Sequence, residues 1–117
     1  MASYRQGDVI KVPFPYTDRS TRQSRPALVV STGGIEDAHG LLWVVMITSA
    51  QNRGWPGDVP VNNLTVAGLP APSVIRTAKI ATIDASDAAR LGKISSALFR
   101  QVARRLGQEL GFGAAFD

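Results

Sequence analysis

The segment SRPALVVS, residues 24–31, places an arginine and a proline directly before a run of four apolar residues. The run Ala27 to Val30 is typical of a strand covered on both faces, because a half-exposed strand would alternate polar and apolar side chains. Proline is tolerated at the start of a strand, so Pro26 can open this one. The residue before a proline is held extended, which predicts a defined backbone position for Arg25. The sequence therefore predicts a central strand preceded by an arginine.

Segments on both sides of this strand also have the composition of strands. Residues 8–14 alternate polar and apolar side chains and end before Pro15, which predicts a first strand closed by a turn. Residues 41–47 form another apolar run, and Thr48 and Ser49 follow directly. We therefore expect a third strand with two hydroxyl side chains at its carboxyl end.

The middle of the chain has shorter β-type segments separated by loops. Residues 58–61 predict a fourth strand. Residues 73–76 and 79–83 predict either two edge strands or one bulged strand. Polar, glycine-rich or proline-rich composition predicts loops at residues 16–24, 31–40, 50–57 and 62–72.

One amphipathic helix is predicted near the carboxyl end, over residues 95–110. Its apolar residues recur every four positions, at Leu98, Val102, Leu106 and Leu110. Ser95 or Ser96 can cap its start and Gly111 its end. Residues 86–91 also fit a short helical turn. Several short strands followed by one helix predict a mostly β fold, a small antiparallel barrel or sandwich with the helix packed on it.

Composition limits the possible functions. A chain of 117 residues fits a single domain, residues 1–117, and its net charge of +4 fits either an anionic partner such as nucleic acid or a surface that keeps the protein soluble. The absence of cysteine excludes disulfides, thiolate nucleophiles and cysteine metal sites. No apolar run approaches the 20 or so residues of a membrane-spanning helix, and the first residues do not resemble a secretory signal. These features favour a cytoplasmic location.

Four segments, in order along nearly the whole chain, resemble the MazF/PemK family of toxin endoribonucleases. They are RQGDVIKVPFP from residue 5, SRPALVVS from residue 24, VMITSAQNRGWP from residue 45 and SVIRTAKIATID from residue 73. The resemblance implies an SH3-like small barrel, a homodimer and an antitoxin whose peptide tail binds the toxin. It also implies sequence-specific cleavage of single-stranded RNA without a metal or other cofactor. The ribose 2′-hydroxyl would attack the adjacent phosphate and leave a cyclic phosphate and a 5′-hydroxyl.

The resemblance also implies the catalytic residues, which are Arg25, Thr48, Ser49 and Arg76. Arginine can stabilise the charge of a pentacoordinate phosphorus, because it stays protonated and gives two parallel hydrogen bonds to phosphate oxygens. A threonine or serine hydroxyl can hold the phosphate in line for attack. Without the resemblance, the same arginines are typical of solvated charges and the hydroxyls of turn residues.

Further residues are candidates for RNA binding. The aromatic residues Tyr16 and Trp55 could stack on unpaired bases or lie at a dimer contact, whereas we expect Phe14, Trp43, Phe99 and Phe112 in the core. The complete set of RNA-binding candidates is Tyr16, Asp18, Arg19, Arg22, Gln51, Arg53, Trp55 and Lys79.

The sequence departs from the family pattern at a candidate general base. Some members have an aspartate two residues after the arginine of the VIR segment, where this chain has Ala78. Asp18 could substitute, although aspartate in such a loop is also a common turn residue. His39 has no matching position in the family pattern. Two alternatives therefore stay open: a member that binds RNA or antitoxin without cutting, and a protein that inhibits DNA gyrase with the same barrel.

Overall fold

Six antiparallel strands form one sheet in the computed structural model, which describes residues 2–14, 23–52 and 54–112. The strands are β1 (Asp8–Phe14), β2 (Gln23–Val29), β3 (Leu41–Ser49), β4 (Asp58–Pro60), β5 (Ser73–Asp84) and β6 (Ala89–Lys93). The helices are α1 (Gly33–His39), α2 (Leu64–Ala67) and α3 (Ser96–Glu109), and 3₁₀ turns span Ala50–Asn52 and Ala85–Asp87. The mostly β class with a carboxyl-terminal helix is confirmed.

The strand order is β4-β5-β3-β2-β1-β6, so the sheet is not closed into a barrel by hydrogen bonds. The helix α2, which follows β4 in the chain, packs instead against β6 at the other end of the sheet. Their backbones are so close that a Cβ on Gly92 would lie 2.2 Å from the carbonyl oxygen of Val66. A glycine at this position is therefore needed for α2 to pack on β6.

Apolar residues are buried on both faces of the sheet. One core cluster lies between the sheet and α3 and includes Leu28, Val45, Ile75, Leu98 and Val102. The other cluster lies on the opposite face and includes Ile10, Val12, Ala27, Val44 and Met46. Because β2 and β3 contribute to both clusters, their apolar runs are explained by burial on both sides.

Several predicted elements match the structure closely. The strand β1 has the predicted bounds, and the two β-type segments of residues 73–83 belong to one bulged strand, β5. The strand β2 begins at Gln23, before Pro26, which lies within the strand opposite Lys11. Helix α3 begins after Ser95, whose hydroxyl accepts a hydrogen bond from the N–H of Leu98.

The carboxyl end of α3 differs slightly from the prediction. Leu110, not Gly111, is the capping residue, and Gly111 follows it with a φ of 81°. The N–H groups of Gly111 and Phe112 donate to the carbonyls of Gln108 and Gly107, which are the two bonds of a Schellman motif. Gly111 therefore still ends the helix, but it does so one residue after the capping residue.

Three short elements were not predicted correctly. The predicted loops at 31–40 and 62–72 contain α1 and α2. Of the helical turn predicted at 86–91, residues 86 and 87 belong to the 3₁₀ turn Ala85–Asp87, but residues 89–91 belong to β6. Helix α1 has no fully buried residue and therefore leaves no apolar periodicity in the sequence. The strand β6 has no alternating pattern and is held by its pairing with β1.

The aromatic residues expected in the core have different environments. Trp43 and Phe112 are exposed, at 50% and 57%, so their predicted burial is wrong. Trp43 alternates along β3 with the buried Leu42 and Val44, on a part of the sheet where only the other face is covered. Phe99 is partly buried and packs against the core on the α3 side. The side chain of Phe14 lies outside the described part of the structure.

No helix within the described ranges is both long enough and apolar enough to cross a membrane.

Candidate functional site

A tight turn at residues 55–58 forms one side of the candidate site. The N–H of Asp58 donates to the carbonyl of Trp55 at 3.1 Å, and Gly57 has a φ of 91°. Proline at the second position and a positive-φ glycine at the third are typical of a type II turn, and Pro56 and Gly57 occupy these positions. The turn starts β4 and presents Trp55 and Asp58 to the neighbouring strand β5.

Arg76 of β5 is held on several sides by this turn. It lies directly opposite Asp58, and its Nε and Nη2 donate to the two carboxylate oxygens at 3.2 and 2.9 Å. Its Nη2 also donates to the backbone carbonyl of Asn52 at 2.6 Å. The ring centroid of Trp55 lies 4.2 Å from the guanidinium carbon. The Arg76 and Asp58 side chains are each 9% exposed, so this is a buried ion pair with a fixed orientation.

A bulge in β5 shapes the adjoining surface. Val45 pairs with Ile80 but the next residue, Met46, pairs with Arg76, so residues 77–79 are extra on the β5 side. The Thr77 hydroxyl donates to the carbonyl of Gly57 at 3.0 Å and ties the bulge to the turn. The exposed Lys79 then lies with its Nζ 5.7 Å from the Trp55 ring centroid. Bulges re-aim side chains in this way near functional sites.

A small pocket of about 60 Å³ lies where β2, β3 and β5 meet. Because Ala27 pairs with Met46, the antiparallel register places Arg25 level with Thr48 on the neighbouring strand. Arg25, Thr48 and Arg76 all line the pocket, and the remaining lining residues are Met46, Ile47 and Lys79. The pocket therefore combines three basic side chains with one hydroxyl and is suited to an anionic group.

The Thr48 hydroxyl has a defined hydrogen-bond partner. The side-chain Nδ2 of Asn52 donates to Thr48 Oγ1 at 3.1 Å. The oxygen of the hydroxyl therefore accepts this bond, and its single hydrogen is available for another acceptor.

Comparison with protein families gives this geometry a context. The chain matches the model of the family described as PemK-like, MazF-like toxin of type II toxin-antitoxin system over residues 5–110. The chain belongs to this toxin family. Members of the PemK/MazF family are generally endoribonucleases. A comparison with curated protein sequences gave no match.

Solved structures with the same fold include MazF proteins alone and in complexes. A MazE-MazF crystal structure from Deinococcus radiodurans is 23% identical, with a TM-score of 0.76 over 94% of this chain and 98% of that chain. A MazF structure from the same organism is 23% identical, with a TM-score of 0.74 over 92% of this chain and 96% of that one. An endoribonuclease in complex with its cognate antitoxin from Mycobacterial species is 19% identical, with a TM-score of 0.71 over 95% and 96% of the two chains. These similarities establish that the chain has the MazF fold.

Not every PemK/MazF candidate residue lies at the pocket. Ser49 does not line it; its Oγ accepts a hydrogen bond from the N–H of Gln51, at 3.2 Å, and so supports the turn after β3. Gln51 is exposed in that turn. His39 is exposed at the end of α1. The candidates that lie outside the described residues are Tyr16, Asp18, Arg19, Arg22 and Arg53.

Two residues that contact the candidate set were not predicted from the sequence. Asp58 binds Arg76, and Asn52 binds both Thr48 and Arg76. A signal for Asp58 was present, because the pair Gly57-Asp58 repeats the pair Gly7-Asp8 of the first family segment. Asn52 had no comparable signal, since an asparagine after a strand is equally typical of a turn.

The repeated pair forms the same turn twice. The N–H of Asp8 donates to the carbonyl of Arg5 at 3.0 Å, and Gly7 has a φ of 94°, as in the turn before β4. Asp8 also binds an arginine, because its Oδ1 lies 2.8 Å from Nη1 of Arg90, and this hydrogen bond raises the pKa of Arg90. Each Gly-Asp turn therefore starts a strand and binds an arginine on a neighbouring strand.

Proposed function

We propose that this chain is the toxin of a type II toxin–antitoxin system and a metal-independent, sequence-specific endoribonuclease that cleaves single-stranded RNA. The observation that carries the proposal is the pocket in which Arg25, Thr48 and Arg76 meet. Its volume of about 60 Å³ is far below the roughly 300 to 1,000 Å³ of sites for whole small molecules. A single phosphate group of a longer polymer suits it better.

The proposed reaction is transesterification at phosphorus. The ribose 2′-oxygen forms a bond to the adjacent phosphorus and loses its proton, while the bond from phosphorus to the 5′-oxygen of the next nucleotide breaks and that oxygen gains a proton. The products are a cyclic phosphate and a 5′-hydroxyl. The exposed Arg25 donates hydrogen bonds to the non-bridging oxygens, whose negative charge increases in the transition state. Thr48 donates its hydroxyl hydrogen to one of these oxygens and keeps the phosphate in line.

Arg76 has a different part in this proposal. Its Nε and Nη2 are bound to Asp58 and Asn52, whereas its Nη1 makes no hydrogen bond within residues 2–14, 23–52 and 54–112. We assign Nη1 to the phosphate. Because Asp58 holds the guanidinium in place, the donor is oriented before RNA arrives, which is the condition for effective electrostatic catalysis.

Trp55 and Lys79 extend the proposed site along the RNA. Trp55 covers Arg76 but remains 45% exposed, so it offers ring surface on which an unpaired base can stack. Lys79 lies beside the same ring and is suited to a neighbouring phosphate. Gln51 is exposed in the turn next to Thr48 and can contact a base edge.

The partner in this proposal is an antitoxin whose acidic, apolar tail competes with RNA for the basic pocket. Solved relatives that include a MazE-MazF complex and an endoribonuclease with its cognate antitoxin support this assignment. Carboxylates of the tail would occupy the positions of RNA phosphates. We further propose a cytoplasmic homodimer.

A cleavage assay in chelator tests the function directly. Purified protein is incubated with a long single-stranded RNA in EDTA, and new ends are mapped for the wild type, Arg25→Ala and the control Arg100→Ala, which changes an exposed arginine of α3. We expect cuts with 5′-hydroxyl ends in the wild type and the control, and none in Arg25→Ala.

A second function is favoured by one observation. The bulge of β5 holds Ala78 where some family members have an aspartate, which removes a candidate proton acceptor. RNA that stays intact while it binds the wild-type protein would establish a binding member of the family and exclude the nuclease. A gyrase inhibitor has no need of a phosphate pocket. RNA binding that is lost in Arg25→Ala would therefore also exclude a gyrase inhibitor.

A further inference from the structure

We infer that Asn52 is a positioning residue that orients the Thr48 hydroxyl toward the scissile phosphate. This inference rests on the proposed function. Asn52 ends the 3₁₀ turn that follows β3, four residues after Thr48, and its side chain is exposed to solvent. Neither composition nor the family resemblance assigned it a role.

The direction of the hydrogen bond carries the inference. The Nδ2 group of Asn52 has only hydrogens to offer, so at 3.1 Å it makes Thr48 Oγ1 the acceptor. The one hydrogen of the hydroxyl is then left for a phosphate oxygen in the pocket that Thr48 lines. Without this donor, the hydroxyl can rotate and give its hydrogen to a neighbouring backbone carbonyl or to water.

The same residue is fixed by the arginine of the site. The backbone carbonyl of Asn52 accepts a hydrogen bond from Arg76 Nη2 at 2.6 Å, and Arg76 is itself held by Asp58. Asn52 therefore connects Thr48 to the buried ion pair. The two connections use different atoms, because the side chain binds Thr48 and the backbone binds Arg76. A side-chain substitution removes the first connection and leaves the carbonyl for the second.

A double-mutant cycle tests the inference. The rates of RNA cleavage are compared for the wild type, Asn52→Ala, Thr48→Val and the double variant, with Asn62→Ala as a control at an exposed asparagine away from the pocket. We expect Asn52→Ala to lower kcat by about three- to tenfold, with KM changed by less than about twofold, because the oriented bond acts mainly in the transition state. In the Thr48→Val background, Asn52→Ala should have no further effect.

A reversed hydrogen bond provides a stricter version of the same test. In Asn52→Asp the carboxylate can only accept, so it should draw the Thr48 hydrogen away from the phosphate and lower kcat more than Asn52→Ala does. Repulsion between the new charge and RNA would persist in the Thr48→Val background, whereas loss of orientation would not. The reduction in kcat caused by Asn52→Asp is therefore compared with Thr48 present and in the Thr48→Val background. The difference between the two reductions measures how much Asn52 orients the Thr48 hydroxyl.

Several outcomes would overturn the inference. Equal effects of Asn52→Ala in both backgrounds, or an unchanged kcat, would show that Asn52 does not act through Thr48. A wild-type protein that binds but does not cut RNA would refute the proposed function alone. The cycle would then be repeated on the Kd for an RNA with 2′-O-methyl riboses, where Asn52→Ala should weaken binding by at most about twofold and have no effect in the Thr48→Val background. A protein that neither cuts nor binds RNA would refute both proposals.

Discussion

Two arginines that the sequence treats alike have different environments in the folded chain. Arg25 is exposed on β2, whereas Arg76 is buried against Asp58 and under Trp55. Both were candidate catalytic residues through the family resemblance, and both line the pocket. The sequence could not indicate which arginine is buried, because burial depends on a turn 18 residues earlier in the chain.

The two arginines should therefore differ in their contribution to stability. Arg76→Ala leaves the Asp58 carboxylate buried without its partner, and we expect a loss of about 3 to 5 kcal/mol in the free energy of unfolding. Arg25→Ala should change it by less than about 0.5 kcal/mol, since the side chain is exposed. Urea denaturation followed by circular dichroism measures both. Similar losses in the two variants would contradict a buried ion pair.

The two tryptophans provide a separate test of RNA binding at the level of single residues. Trp55 lies beside the pocket and Trp43 lies on β3 away from it. In Trp43→Phe, single-stranded RNA should quench the remaining fluorescence, because in the proposed site a base stacks on Trp55. In Trp55→Phe, the fluorescence of Trp43 should change little. Equal quenching in both variants would show that Trp55 is not the stacking residue.

At the scale of elements, the sequence predicted those whose apolar pattern matches their own periodicity. The strand β1 and helix α3 are of this kind. The short helix α1 and the edge strand β6 were missed, because each is held by contacts with distant segments. The side chain of Glu36 in α1, for example, accepts hydrogen bonds from the N–H groups of Ser3 and Tyr4. Sequence patterns within a short window do not contain such contacts.

The turn before β4 is the element on which the site depends most. A methyl group on Gly57 would lie 2.9 Å from Thr77 Oγ1, and the φ of 91° is unfavourable for other residues. Gly57→Ala should therefore cost about 2 to 3 kcal/mol and reduce cleavage, because it displaces Asp58. Gly40→Ala is a matched control with a φ of 68° and open space around it, and it should cost about 1 kcal/mol. Equal losses of stability in Gly57→Ala and Gly40→Ala would show that the turn at residues 55–58 can rearrange to accept a side chain at residue 57.

At the scale of the whole molecule, the net charge of +4 is consistent with the proposed RNA binding, although charge alone left the partner open. The structure shows where basic side chains come together, because Arg25, Arg76 and Lys79 line the same pocket. The charge of Arg76 is already balanced by Asp58. Arg76 should therefore contribute less than one full charge to the counterion release on RNA binding, to which the proposed phosphate contacts of Arg25 and Lys79 also contribute.

Salt dependence of RNA binding measures these contributions. For single strands, each phosphate neutralised adds about 0.7 to the slope of log K against log salt. Arg25→Gln and Lys79→Gln should each reduce the magnitude of the slope by about that amount, and Arg100→Gln should leave it unchanged. A slope near zero in the wild type would exclude a site that binds RNA mainly through its phosphates.

The repeated Gly-Asp turn has a consequence for how substrate preference can change. Its backbone requires a glycine at the third position, and its link to an arginine requires the aspartate at the fourth. The first two positions carry Arg5 and Gln6 in one copy and Trp55 and Pro56 in the other, so the turn itself accepts different residues there. In the copy beside the pocket, the first position is Trp55, which lies over Arg76 and is the residue proposed to stack on a base. Under the proposed function, mutations at residues 55 and 56 should therefore alter which bases are recognised while β5, which holds Arg76, keeps its place, and this turn is a natural point for toxins of this kind to diverge.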